Sequence, residues 1–160
     1  MIWGICAKNA ENDVIKFLET WDNEIEPPIS LRERGITGIV ESMFEKGNIL
    51  ITKHGNKIIG LIGYEIDKKG DKRIHEAYID IALVNPFYRG IFQDGLRLLV
   101  DQLERDTVTD IRWHTTRENI SRDLHRTLGN AVKISYDFES YQIMEYRSTV
   151  AHFKKILSHN

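Results

Sequence analysis

Seven consecutive residues, Val84-Asn85-Pro86-Phe87-Tyr88-Arg89-Gly90, constrain the fold of this chain more than any other stretch, because a strand hands over to a helix there. Upstream, Tyr78 to Val84 is a β-rich run without a turn residue. Downstream, Leu96, Leu99, Val100 and Leu103 recur at the three-and-four spacing of an amphipathic helix. A strand that stops at a proline and re-enters as a helix through an Arg-Gly turn presents unpaired N–H groups at the helix start. Such a start favours an anion, phosphate above all.

The flanking elements follow from periodicity and punctuation. Ile2 to Ala7 reads as a first strand, not a signal peptide, since no basic region precedes it and the apolar run is short. Val14, Phe17, Leu18 and Trp21 form a helix face, with Asn9 or Asn12 as its cap. Glu26-Pro27-Pro28 breaks that helix. Ser30 and Glu33 match a capping box ahead of a second stripe, Ile36, Ile39, Val40 and Met43, which Gly47 ends. Strands Ile49 to Lys53 and Lys57 to Ile66 are joined by His54-Gly55-Asn56, a hairpin signal. After a polar turn at Lys68 to Lys72 comes the strand Glu76 to Val84, then a helix from Gly90 to Arg105 and a strand from Ile111 to Thr115. Ile120, Leu124 and Leu128 mark a short helix stopped by Gly129. Strands Val132 to Phe138 and Tyr141 to Tyr146 follow, and Val150, Phe153 and Leu157 suggest a closing helix.

The order is β-α-α-β-β-β-α-β-α-β-β-α. Consecutive hairpins with helical crossovers predict an α/β fold of the α+β type: a mixed, largely antiparallel sheet with helices on both faces. The 160 residues fit one domain spanning 1–160, with no repeat or linker to divide it. A net charge of −2 offers no basic face for nucleic acid, and no apolar run reaches membrane-spanning length. Cys6 is the only cysteine, which excludes an internal disulfide and points to a reducing, cytoplasmic compartment; it reads as a small buried hydrophobe. The six histidines show no metal-ligand spacing, so no metal is expected. No Walker loop, dinucleotide fingerprint or nucleophile elbow occurs. The amphipathic tail from Thr149 can pack on the domain or on a second subunit, which leaves a homodimer open.

Element order, length and two motifs together resemble the GNAT N-acetyltransferase superfamily over nearly the whole chain. The signature of that family runs Val-x-Pro-x-Tyr-Arg-Gly-x-Gly-x-Gly from strand into helix, and its backbone amides hold the pyrophosphate of acetyl-CoA. Here Val84 to Gly90 matches its first half, while Phe92 and Asp94 stand at the later glycine positions. A family motif Asn-x-x-Ala-x-x-Leu-Tyr-x-x-Leu-Gly-Phe aligns on Leu128-Gly129, which puts Ser121 at the alanine, His125 at the tyrosine and Glu118 at the asparagine, with Asn119 one residue late.

The resemblance implies acetyl transfer from acetyl-CoA to a primary amine of a small molecule or peptide, by direct attack in a ternary complex. It implies cofactor contacts at Leu83, Val84, Arg89, Gly90, Ile91, Phe92 and Asn119, with a backbone amide at Leu83 or Val84 polarising the thioester carbonyl. Arg89 reads as a cation aimed at phosphate or as a solvated arginine. His125 reads as the acid for the departing thiolate or as a surface histidine. Asp80 reads as a base for the amine or as a solvent-facing carboxylate, on the face that alternation shares among Tyr78, Asp80, Ala82 and Val84. Acceptor recognition is expected from Ile25 to Gly38 and from the turn Asp137 to Ser140. Phe92 can still offer its N–H if its side chain turns into the core. A carboxylate at Asp94, if 4 Å from the pyrophosphate, opposes it by about 1–4 kcal/mol. That departure keeps two alternatives in view: a non-catalytic binding module of the same fold, or an acyltransferase charged by an acyl-carrier protein.

Overall fold

A computed structural model of the chain describes residues 2–67, 75–88, 90–116 and 122–158. Its spine is β3 (Lys57–Asp67), in which every residue from Ile58 to Tyr64 is buried. A strand covered on both faces reads as a continuous apolar run, which is what this segment shows. The remaining strands are β1 (Trp3–Ile5), β2 (Gly47–His54), β4 (Glu76–Val84), β5 (Asp110–Thr116), β6 (Asn130–Phe138) and β7 (Tyr141–Thr149). They form one sheet in the order β1-β2-β3-β4-β5-β7-β6. Among the described residues every neighbouring pair is antiparallel except β4 and β5.

Helices cover both faces. The α1 (Glu11–Trp21) and α2 (Gly35–Lys46) helices close one, burying Val14, Phe17, Leu18, Ile39, Val40 and Met43 against Ile49, Leu61, Ile81 and Leu83. The α3 (Phe92–Arg105) and α5 (Val150–Ser158) helices close the other over Trp3, Ile62, Tyr64, Ile111, Trp113 and Tyr146. The closing helix thus packs on its own domain, through Val150, Phe153 and Leu157. The short α4 (Arg122–Leu128) follows β5. Cys6 is buried beside α1, and burial raises its thiol pKa. No helix among the described residues is long and apolar enough to cross a membrane.

Three local expectations give way. The α1 helix starts after Ala10 without a side-chain cap, because Asn9 lies in a preceding single turn and Asn12 is already helical. Ser30 does not cap α2. Its hydroxyl bonds the carboxylate of Asp22, whose Oδ1 also takes the N–H groups of Ile29 (2.7 Å) and Ser30 (3.2 Å), so a separate turn forms and α2 begins only at Gly35. In β4, Tyr64 pairs with Ile79 and Gly63 with Ile81, which leaves Asp80 as a bulge residue. A bulge shifts the alternation by one. Tyr78, Asp80, Ile81 and Leu83 therefore face α1 and α2, while Ala82 and Val84 turn to the α3 side. The face predicted to hold Asp80 together with Ala82 and Val84 is divided at the bulge.

Candidate active site

The parallel ladder between β4 and β5 is short. It runs from Glu76 opposite Asp110 to Ile79 opposite Trp113 and stops there. Both strands continue, each held only by its outer neighbour: β4 by β3 as far as Val84 opposite Gly60, and β5 by β7 as far as Thr116 opposite Ile143. The sheet therefore splits between Asp80–Val84 and His114–Thr116. Inner-edge backbone groups of both strands lose their ladder partners along the split.

On the α3 side, the strand-to-helix turn is built by Asn85. Its carbonyl accepts from the N–H of Tyr88 (2.9 Å) and its side-chain oxygen from the N–H of Phe87 (3.0 Å). Gly90 follows at φ +80°, a left-handed conformation that glycine tolerates and other residues resist, with open space where a side chain would stand. The first helical residue is Phe92, whose ring packs on the core, so its N–H and those after it face outward as helix-start donors. Ile91 precedes it, and its carbonyl accepts from Trp3 Nε1 (2.9 Å), which ties the helix start to β1. The Asp94 carboxylate bonds Arg97 at 2.8 Å, which offsets its charge locally. Arg89 and Asn119, with Glu118 and Ser121, lie outside the described residues. Val84 is half-buried against the α3 core, and Leu83 is buried in the opposite one.

His125 reaches the same side of the split from α4. It is half-buried against Trp113, and its Nδ1 accepts from the indole N–H at 2.8 Å. Tyr146 stacks on that indole at 5.6 Å. An accepting Nδ1 places the ring proton of neutral His125 on Nε2, and burial lowers its pKa toward that form. Nε2 is buried and finds no hydrogen-bond partner among the described residues.

On the α2 side a cavity of about 200 Å³ opens, lined by Pro27, Arg32, Glu33, Tyr78, His114, Phe138 and Ile143. Arg32 fastens its roof, donating to the carbonyls of Pro27 (3.0 Å) and Asp80 (3.2 Å). Thr116 at the end of β5 donates to Glu26 at 2.8 Å, a second tie to the same segment. Tyr78 Oη lies 2.6 Å from His114 Nδ1. Glu145 of β7, buried, sits 3.9 Å from His114 Nε2 and holds Arg112 at 3.2 Å. Burial lowers the His114 pKa, Glu145 opposes this, and Arg112 and Arg32 add to it.

Asp80 does not line this cavity. Its side chain lies under Arg34, which bonds it at 3.2 Å and reaches Glu65 at 3.1 Å. Burial pushes Asp80 up to about 8, and the hydrogen bond and charge of Glu65 push the same way against Arg34 and Arg32. Burial also works against an ionised Glu65, but hydrogen bonds from Asp80, Ser42 and Arg34 outweigh it and hold its pKa low. At neutral pH Asp80 thus keeps its proton, and the expectation of a free base at this position gives way to a buried acid in a carboxyl pair. Arg32 falls within Ile25 to Gly38, the stretch expected to recognise the acceptor, whereas Tyr78, His114 and Glu145 are not singled out by the sequence as site residues. Their one signal is polar side chains at alternate positions of otherwise apolar strands. Among the described residues no group of three His, Cys, Asp or Glu side chains is placed to hold a metal ion.

Neither a family model nor a curated protein sequence matches the chain. Solved structures do. An aminoglycoside 6'-N-acetyltransferase complexed with coenzyme A is 12% identical with a TM-score of 0.70, covering 94% of this chain and 97% of that one. A ribosomal-protein-alanine N-acetyltransferase from Brucella melitensis is 14% identical with a TM-score of 0.65, covering 93% and 99%. A chain of the NatC complex bound to Gag peptide and CoA is 14% identical with a TM-score of 0.65, covering 92% and 97%. At such identities the likeness is one of architecture: the chain has the GNAT fold.

Proposed function

We propose that the protein transfers an acetyl group from acetyl-CoA to a primary amine of a small molecule or peptide, by direct attack within a ternary complex. The observation that carries this is the split between β4 and β5 beyond Ile79 and Trp113. It leaves room for an extended chain to lie between two strand edges that no longer pair with each other.

The residues at its α3 side suit CoA. Gly90 leaves open space, the amides from Ile91 and Phe92 onward offer donors to a pyrophosphate, and Arg97 offsets Asp94. Leu83 and Val84 would border the pantetheine arm with their backbone, and one of their amides would polarise the thioester carbonyl. Arg89 and Asn119 are assigned to the cofactor by motif alone. CoA supplies the activated thioester; the protein supplies alignment, worth several kcal/mol in such reactions. His125, with its proton on Nε2, is the proposed hydrogen-bond donor that stabilises the leaving thiolate. The cavity on the opposite face would take the acceptor.

Acetyl-CoA at about 100 times its Kd should stabilise by about 2.7 kcal/mol. For a domain of this size that is a rise in Tm of roughly 5–10 °C. Thiol release from acetyl-CoA in the presence of kanamycin, spermidine or a peptide with a free α-amine then reads the transfer. An unmoved melting curve with both CoA and acetyl-CoA overturns acetyl-CoA as the donor. Phe92 and Asp94 at the glycine positions favour a second reading, a binding module of the same fold. Tight CoA binding without thiol release across these amines would select it.

A further inference from the structure

We infer that Tyr78, His114 and Glu145 form a proton relay that takes the proton of the acceptor amine, with the Tyr78 hydroxyl as the group that touches the amine. This rests on acyl transfer at the β4–β5 split. The placement is specific. Tyr78 precedes Ile79 on β4 and His114 follows Trp113 on β5, so they flank the last paired residues at the mouth of the split. Both line the cavity opposite the CoA side, and their polar atoms meet at 2.6 Å.

The proton inventory gives the relay its direction. Glu145 is an acceptor when ionised, and its Oε1 faces His114 Nε2 at 3.9 Å, which favours the tautomer with the proton on Nε2. Nδ1 then carries a lone pair, and the Tyr78 O–H donates to it. Glu145 is held by Arg112 at 3.2 Å and Arg147 at 3.3 Å. The Arg112 guanidinium also lies 4.7 Å above the Tyr78 ring and fixes its plane.

In the transfer the amine, its ammonium proton already released to water, uses its lone pair to form the C–N bond at the thioester carbonyl carbon as the C–S bond breaks. The amine proton passes to Tyr78 Oη while the Tyr78 proton passes to His114 Nδ1. The phenol ends neutral, and the imidazolium rests beside Glu145 until water takes its proton. The thiolate departs toward the other face, where the Nε2–H of His125 hydrogen-bonds it, and takes its proton from water. Arg32 and Glu33 at the cavity wall leave space for one amine-bearing group of modest size, with Glu33 complementing a cationic amine.

The test uses Tyr78→Phe, which removes one oxygen and keeps the ring, together with His114→Gln. Thiol release from acetyl-CoA with kanamycin, spermidine and an α-amino peptide is measured across pH 5–9, and the CoA melting shift is measured for each protein. Tyr78→Phe should lower kcat by about 10²–10³ and leave the CoA shift and the KM for acetyl-CoA unchanged. Wild type should lose rate as pH falls through the His114 titration, and His114→Gln should keep only the limb set by each amine's own pKa, which moves from one amine to the next. The charged groups facing His114 are Glu145, Arg112 and Arg32, with Tyr78 in direct contact. Rates for Tyr78→Phe within twofold of wild type, or a pH profile of His114→Gln that coincides with wild type for all three amines, overturn the relay and leave acyl transfer standing. Loss of the CoA shift in Tyr78→Phe also overturns it, by assigning the residue to binding or folding. Wild type that neither shifts with CoA nor releases thiol overturns acyl transfer itself, and the relay with it.

Discussion

Ile79 and Trp113 are the last residues through which β4 and β5 pair, and the sheet opens beyond them. Everything assigned to chemistry stands around that point. Trp113 points to the α3 side and positions His125; its successor His114 points to the α2 side and meets Tyr78. One strand thus reaches both sides of the opening by alternation alone.

Asp80 and Glu65 predict an unusual pH dependence of stability. Asp80 has a folded pKa of about 8, above its ordinary value of 3.8, so the folded protein holds a proton that the unfolded chain releases. The stability associated with that proton is fully present below the ordinary value and is lost as pH rises through about 8. Glu65, held low, works in the opposite sense at acid pH. Asp80→Asn removes the titration while keeping a donor toward Glu65. Its Tm should exceed that of wild type by roughly 3–8 °C at pH 8.5–9, with the gap closing toward pH 5. Parallel Tm–pH curves for the two proteins would contradict the assignment.

Gly95 and Trp3 predict a packing limit at the helix that starts the CoA side. A Cβ at Gly95 would lie 2.8 Å from the Trp3 indole and 3.0 Å from Ile62, so one of them must move. Gly95→Ala should therefore destabilise by about 1–3 kcal/mol, despite alanine's better helix propensity. Because Trp3 also bonds the Ile91 carbonyl, CoA affinity should fall with stability. Chemical denaturation and calorimetric titration with CoA check the two effects. A stabilised Gly95→Ala protein would contradict the close approach.

His125→Ala should slow thiol release by about 10²-fold, through loss of the Nε2–H that stabilises the departing thiolate. CoA binding should persist. The Trp113 emission should change as its indole N–H loses its acceptor. Undiminished turnover would remove His125 as the thiolate's hydrogen-bond donor.

The architecture was legible because the chain punctuates itself. The continuous apolar run of β3, the 3.6-residue stripes of α1, α3 and α5, and the Asn85-Pro86 turn each announce their element. The Ser30 cap fails because Asp22 and Ser30 satisfy each other locally, a contact across eight residues that competes with a capping box, and the α1 cap fails because a single turn at Lys8–Ala10 runs straight into the helix. The site was half legible. Gly90 and His125 follow from motifs within one stretch of chain. Tyr78 and His114 meet only because β4 and β5 lie side by side, and that pairing joins residues 36 positions apart. Asp80 was misplaced for a different reason: a bulge leaves no mark in a strand's composition, yet it reverses every side chain beyond it.

The most direct test is to follow the backbone amide resonances of the 15N-labelled protein as acetyl-CoA is added. Binding in the split predicts the largest shifts at Ala82 to Val84 and at Gly90 to Asp94, with Trp113 and His125 following. Shifts absent from both stretches at saturating acetyl-CoA, or confined to another surface, would contradict the account.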